Sequence, residues 1–355
     1  MNVQKNAPLA RLTSLAVGGP AENLYTCTTL EALEDALYEN PGAPLWVLGY
    51  GSNVLISDKG LPGTTILMRT RGTTLEGGST LLVAEAGAWW DDVVRRAIRE
   101  KLWGLELMSG IPGSLGAAIV GNIAAYGQSV ADTLRWIEVI DKTTRQVRRI
   151  TAGSLGLSYR FSSFQTDTFK GYIILRAAFE LSREPTRPVE YQTALDIAEA
   201  HNYDLATLAG RRKTIMETRK RAGSLWDYRS PDDYLRTAGS FFRNPTVDAA
   251  TADKLMAMDE TGRSLELLKK MNRVHGGAQT RVSAAHVLLA AGFRRGQTWG
   301  KVRLHPDHIL KLENTGGATA QNIYNVAMEI VRTVQEKLGV ELKPEVRFLG
   351  EFKEG

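Results

Sequence analysis

Leu30, Leu33 and Leu37 recur at helical spacing, and Thr28 with Glu31 has the form of a capping box, so a helix is predicted from about residue 30. The apolar run Leu45-Trp46-Val47-Leu48 breaks at Gly49-Tyr50-Gly51-Ser52-Asn53 before a second short run, Val54-Leu55-Ile56. That is a glycine turn between two strands, not the glycine turn into a helix of a dinucleotide fingerprint. Residues 81–84 predict another strand, and residues 91–102 a helix with Val94, Ala97 and Ile98 on one side. Strands are predicted at 136–140 and 173–175, and helices at 249–258 and 283–291. In the tail, Ile323, Ala327, Ile330, Val331 and Val334 form a helical stripe that Gly339 ends. Beyond it Val340, Leu342, Val346 and Phe348 share one strand face, and Glu341, Lys343, Glu345 and Arg347 the other. Pro344 requires an edge position or an irregular start to that strand.

The 355 residues exceed one ordinary core, so two or three domains are expected. A composition of 43% hydrophobic and 23% charged residues is that of a folded globular chain. No run is apolar enough to span a bilayer, and residues 1–5 lack the apolar core of a signal peptide, so a cytoplasmic protein with no membrane partner is expected. Cys27 is the single cysteine, which excludes an internal disulfide and a thiolate metal centre. His275, His286, His305 and His308 show no ligand spacing, so no metal is expected. The net charge of +5 is modest. Its local runs, Arg211-Arg212-Lys213 and Arg219-Lys220-Arg221, read either as a solvated helix face or as a site for a diphosphate. Few aromatic residues lie beside them, so nucleic acid is not an expected partner.

Ser240 stands between Gly239 and the pair Phe241-Phe242, with no local base that would make it a triad nucleophile. It reads instead as a hydroxyl held in an apolar wall to exchange one proton. Residues 109–127 form a second loop dense in glycine and small side chains. Without Cβ atoms such loops let backbone N–H groups approach a pyrophosphate, although helix–sheet packing explains the same density. Arg160 in Tyr159-Arg160 is either packed through its stem or aimed at an anion, and Glu345 is by default a surface residue. Two phosphate-suited loops and a lone serine favour an oxidoreductase over a hydrolase.

These segments resemble the UDP-N-acetylenolpyruvoylglucosamine reductase (MurB) family, whose hallmarks are a GxGSN loop, an IPGxxGAA…N..AYG segment, a YR pair, a GSFFxNP segment and a terminal PEVRF strand. Here they stand at 49–53, 111–127, 159–160, 239–245 and 344–348, and the resemblance spans about residues 12–350. It implies an α+β, three-domain flavoprotein. An FAD-binding two-domain unit of the vanillyl-alcohol-oxidase (PCMH) type would comprise residues 1–72, joined by the strand of about 340–355, and residues 73–221. A C-terminal α/β substrate-binding domain would cover residues 222–339. The implied reaction is that of a UDP-N-acetylmuramate dehydrogenase in peptidoglycan synthesis. NADPH reduces FAD, and flavin N5 then passes hydride to the vinyl carbon of UDP-N-acetylglucosamine enolpyruvate.

By the same resemblance Ser240 donates the proton, while Arg160 and Glu345 stabilise the enediolate. Gly49, Tyr50, Gly51, Ser52, Asn53, Ile111, Pro112, Gly113, Gly116, Ala117, Asn122, Ala125 and Tyr126 would hold FAD. Tyr159, Tyr191, Arg219 and Asn244 would meet the substrate, Tyr191 over its UDP moiety, and a monomer is expected. Gly121 and Ala124 depart from the family pattern, and Ala222 stands near the place of a family lysine that Lys220 or Arg221 could replace. The segment 225–237, with Trp226, Tyr228 and Tyr234, is unusual. A flavin oxidase of the wider fold and a non-catalytic flavin or nucleotide-sugar binder are the alternatives.

Overall fold

The computed structural model describes residues 3–39, 42–76, 79–229, 235–258 and 280–354, so Tyr234 and His275 lie outside the described residues. The chain forms two compact units. The first comprises Met1–Ala7, Ala21–Gly51 and Leu61–Asp233, and the second Pro8–Pro20, Ser52–Gly60 and Tyr234–Gly355.

In the first unit, a four-stranded sheet runs in the order Val3–Pro8, Pro20–Cys27, Leu61–Met68, Leu45–Leu48. Leu61–Met68 lies parallel to both of its neighbours Pro20–Cys27 and Leu45–Leu48. It is buried at every position but one, as a strand inside a parallel sheet must be. The helix Leu30–Glu39 packs Leu33, Ala36 and Leu37 inward. Its first turn is held by Thr29, whose Oγ1 accepts the Ala32 amide, and not by Thr28.

A five-stranded antiparallel sheet follows the order Val147–Thr151, Leu134–Asp141, Tyr172–Glu180, Leu81–Glu85, Thr73–Leu75. The helix Trp90–Arg99 belongs to the same core, burying Trp90, Val93, Val94 and Ala97, with Ile98 only partly covered. It stops short of Leu102 because Lys101 adopts φ +58°.

The core of the second unit is built on the helix Ala320–Leu338, which buries Ile323, Ala327, Ile330 and Val334 as the stripe predicts. Thr319 and Asn322 form a reciprocal capping box, and the Asp58 carboxylate accepts the amides of Ala320 and Gln321. Gly339 closes the helix at φ +67°. The predicted alternation then holds: Val340, Leu342 and Val346 are buried while Glu341, Lys343 and Arg347 are exposed. Ladder pairing with Val54–Ile56 is parallel and confined to Arg347–Leu349, while Pro344, which lacks a donor, is bridged to Phe242 instead. The two short strands flanking the 49–53 turn therefore belong to different sheets.

Candidate active site

The two glycine-rich loops meet in the first unit. A Cβ on Gly49 would lie 2.3 Å from Ser114 Oγ, so only glycine lets the first loop come this close to the second. Ser114 caps the helix Leu115–Val120 by accepting the Ala117 amide, and Gly116 donates to the Ala86 carbonyl at 2.8 Å. A Cβ on Gly116 would sit 3.2 Å from that of Ala86. Gly51 and Gly113 adopt φ +64° and +140°, and Trp90 donates to the Gly113 carbonyl, fixing the turn that carries Ile111 and Pro112. These loops thus present backbone without side-chain bulk, which suits a phosphate-bearing cofactor such as FAD. Tyr50 packs edge-on against Trp89 at 4.8 Å and at a tilt against Tyr228 at 4.2 Å, with Arg69 over its face at 4.1 Å. Burial first of all pushes its hydroxyl pKa up to about 12.

The second loop is clamped from below. Asp91 accepts the Gly110 amide and both terminal nitrogens of Arg212, each at 2.7 Å. Burial alone would raise the Asp91 pKa, but the Arg212 bonds and charge and the Gly110 amide hold it below the ordinary value. Arg219 donates through Nε to the Gly110 carbonyl at 3.0 Å and through Nη2 to that of Ser224 at 2.9 Å. Its surroundings withhold water and so lower its pKa, while the Tyr126 phenol and Asp91 favour the charge.

Tyr126, at φ +49°, meets Tyr191 edge-on at 5.4 Å. Burial drives the Tyr191 pKa up to about 12 against the pull of the Arg160 charge. Arg160 holds φ +53°, donates to the Ala124 carbonyl at 2.9 Å, and has its guanidinium 5.7 Å from the Tyr159 ring centre. Asn122 ties this region together, donating to the Ser158 carbonyl at 2.7 Å and accepting the Ala131 amide at 3.0 Å. Ala125 lies in the small hairpin Ala124–Ala125 with Gln128–Ser129. Tyr126, Tyr159, Arg160, Tyr191 and Arg219 therefore belong to one cluster. Arg221 turns instead to His201 at 2.9 Å, and Lys220 is exposed.

In the second unit the serine segment pairs with the tail. Glu345 donates its amide to the Phe241 carbonyl at 2.8 Å and Arg243 donates to that of Lys343 at 2.9 Å, with Phe242 bridged to Pro344. This brings Ser240 and Glu345 onto neighbouring backbone, a pairing 105 positions apart that no local pattern encodes. Phe241 and Phe242 are fully buried anchors, whereas the Ser240 hydroxyl has no hydrogen-bond partner among the described residues. Gly239, at φ +77°, makes the turn into the segment. Asn53 donates to the Glu345 carbonyl at 3.3 Å, and the Ser52 carbonyl accepts the Ser14 hydroxyl at 3.3 Å. The Asn244 side-chain oxygen accepts the Ala284 amide at 2.9 Å and so caps the helix Ala284–Ala290. Sequence reasoning did not single out Trp89, Asp91 or Arg212 as support for the glycine loops.

A family profile described as UDP-N-acetylenolpyruvoylglucosamine reductase, C-terminal domain, matches residues 230–349, and one described as FAD binding domain matches residues 22–149. A UDP-N-acetylenolpyruvoylglucosamine reductase of Streptomyces avermitilis is 34% identical over 95% of this chain and 92% of its own length. One from Salinispora arenicola is 35% identical over 95% and 93%. The crystal structure of the MurB reductase from Thermus caldophilus matches with TM-score 0.62 and 26% identity, covering 99% of this chain and all of that one. The expectation of an α+β flavoprotein with a separate C-terminal domain is borne out.

Proposed function

The chain belongs to the UDP-N-acetylenolpyruvoylglucosamine reductase family, and from that premise we propose that it reduces UDP-N-acetylglucosamine enolpyruvate to UDP-N-acetylmuramate for peptidoglycan synthesis. FAD is its cofactor and NADPH its hydride donor. The observation that supports the chemical part is the backbone pairing of the segments that carry Ser240 and Glu345.

The 49–53 and 111–126 loops would hold FAD, which when bound would supply the hydride for the terminal vinyl carbon. The displaced electron pair moves onto the substrate carboxylate as an enediolate, whose two negative oxygens need cations or donors aimed at them. Arg160 meets that charge, its guanidinium braced by the Ala124 carbonyl. Glu345 assists, and Ser240 passes a proton to the carbon adjacent to the one that received hydride. A serine hydroxyl is a weak acid, so its value lies in position and in a relay that restores its proton. Tyr159, Tyr191, Arg219 and Asn244 bind the substrate, Tyr191 over its uridine diphosphate end. We assign the FAD-binding lobes to residues 1–72 with 340–355 and to 73–221, and substrate recognition to 222–339. A monomer performs the reaction in the cytoplasm, without a membrane or nucleic-acid partner.

The purified protein should be yellow. NADPH should bleach it, and UDP-N-acetylglucosamine enolpyruvate should restore the colour in the absence of oxygen. Bleaching with no response to that substrate would make it a different flavoenzyme, and a colourless protein that cannot be reconstituted would make it a non-catalytic binder.

A further inference from the structure

After the helix Leu208–Arg221 the chain turns at Gly223, φ +55°, into residues 224–229, wholly within the first unit. This stretch touches both glycine loops in turn. The Ser224 carbonyl accepts Arg219 Nη2 at 2.9 Å, and Arg219 Nε donates to the Gly110 carbonyl at 3.0 Å. Leu225 lies against the same glycine, where an added Cβ would sit 2.9 Å from Leu225 Cδ2. Trp226 meets Trp89 edge-on at 6.0 Å. Tyr228 then packs against Trp89 at 4.7 Å and against Tyr50 of the first loop at 4.2 Å. Arg229 ends the run on the helix Trp90–Arg99, pairing with Asp92 at 2.5 Å.

Trp89 is in turn fixed to the second loop, bridged to Ser114, while the next amide, Trp90, donates to the Gly113 carbonyl. The rings of Tyr228, Tyr50 and Trp89 therefore join one glycine loop to the other. Residues 224–229 have no helix or strand of their own, and Leu225, Trp226 and Tyr228 are only half-buried. A segment held by a few side chains, with no backbone ladder, opens at far lower cost than the core beneath it. Ring pairs add to its hold beyond the area they bury, and the exposed Arg229–Asp92 pair adds a smaller share that salt screens.

We propose that residues 224–229 form a strap that fastens the two glycine loops to each other, and that its release is the step that lets the cofactor go. The cofactor half rests on the FAD reading above; the fastening half does not.

Hydrogen exchange of the full chain, without and with FAD, tests the fastening, and flavin fluorescence released on dilution tests the control of the cofactor. Tyr228→Ala removes both ring contacts, so in flavin-free protein exchange should quicken in peptides covering Tyr50 and 113–117. The same variant should raise the FAD dissociation rate about tenfold or more. Tyr228→Phe keeps the ring and should stay within about threefold of wild type in both readouts. Arg229→Gln, at an exposed position, keeps every ring and guards against an alanine variant that fails to fold. It should speed FAD release about two- to fivefold and blunt the acceleration by salt that wild type shows. Loop exchange unchanged in Tyr228→Ala overturns the strap, with or without flavin. Equal losses in Tyr228→Ala and Tyr228→Phe overturn it as well, because the ring packing is then not the fastening. Faster exchange with unaltered FAD release from a yellow protein overturns its control of the cofactor and leaves the flavin reading standing. A chain that takes up no FAD, yet exchanges faster in Tyr228→Ala, sinks the flavin reading and keeps the fastening.

Discussion

Asp91→Asn strikes the support of the second glycine loop without touching the loop itself. The wild-type carboxylate accepts three hydrogen bonds, two from Arg212 and one from Gly110, and its side chain is only 13% exposed. An asparagine oxygen can keep the Gly110 amide, but its NH2 group then faces an Arg212 nitrogen, donor against donor. One charge-assisted bond is lost, worth ~1.5–3 kcal/mol, and Arg212 is left without its counter-charge. A fully buried broken pair costs ~3–5 kcal/mol, but the Arg212 side chain retains 20% exposure, so the loss should be about 2 kcal/mol.

For a unit of this size that corresponds to a fall in Tm of roughly 4–8 °C in the flavin-free protein, followed by tryptophan fluorescence. Because Asp91 also fixes the Gly110 amide, FAD should dissociate faster from the variant, read as flavin fluorescence released after dilution. The pH dependence has a definite sign. The folded pKa lies below the unfolded 3.8, so the Asp91 contribution is complete above 3.8 and is lost as pH falls through the lowered folded value. The gap between wild type and D91N should therefore close only in that acid range. A D91N protein with unchanged Tm and unchanged FAD release, or a D91N/R212Q cycle with no coupling, would refute the clamp.

Ser240→Ala should leave bleaching by NADPH nearly intact and slow reoxidation by the enolpyruvyl substrate by orders of magnitude in stopped flow; equal loss in both halves would make Ser240 structural. Glu345→Gln should lower turnover while unfolding near the wild-type temperature, since one polar atom is exchanged without a change of volume and the backbone bond to Phe241 is kept. Gly49→Ala should weaken FAD binding because its Cβ would lie 2.3 Å from Ser114 Oγ, and Ser114→Ala on top should restore part of the affinity; no rescue would mean the clash is not the cause. Burial, aided by the Lys311 charge, lowers the His308 pKa from 6.5 to about 4, so the second unit should lose stability as pH falls from about 6.5 to about 4, where only the unfolded chain takes the proton. His308→Gln should flatten that slope in acid-denaturation curves.

Elements whose causes are local were legible in the sequence. The stripe of Ile323, Ala327, Ile330 and Val334 and the stop at Gly339 needed nothing beyond their own spacing. The helix near residue 30 was legible too, but its cap was displaced from Thr28 to Thr29, since either threonine satisfies the pattern and only the backbone chooses. The turn at 49–53 reads correctly as strand–turn–strand, yet nothing in it says that the two strands belong to different sheets.

The site was legible in its parts and not in its joins. Ser240 is visible as a hydroxyl without a local base, but its neighbour Glu345 arrives by backbone pairing through Phe241 and Phe242. Arg212 reads as one member of a basic run on a helix, a run that is by default a solvated face and only secondarily a site for an anion. Its actual partner is Asp91, 121 positions earlier, and the pair braces a glycine whose own sequence signal concerns only flexibility. Tyr228 likewise sits in a segment that looked merely unusual, until its ring is found on Tyr50 of the first glycine loop. A glycine loop frees the backbone to approach a ligand and by the same freedom cannot hold its own position. Rigid partners must therefore come from remote segments, so the residues that make such a site work are the ones its local motifs leave out.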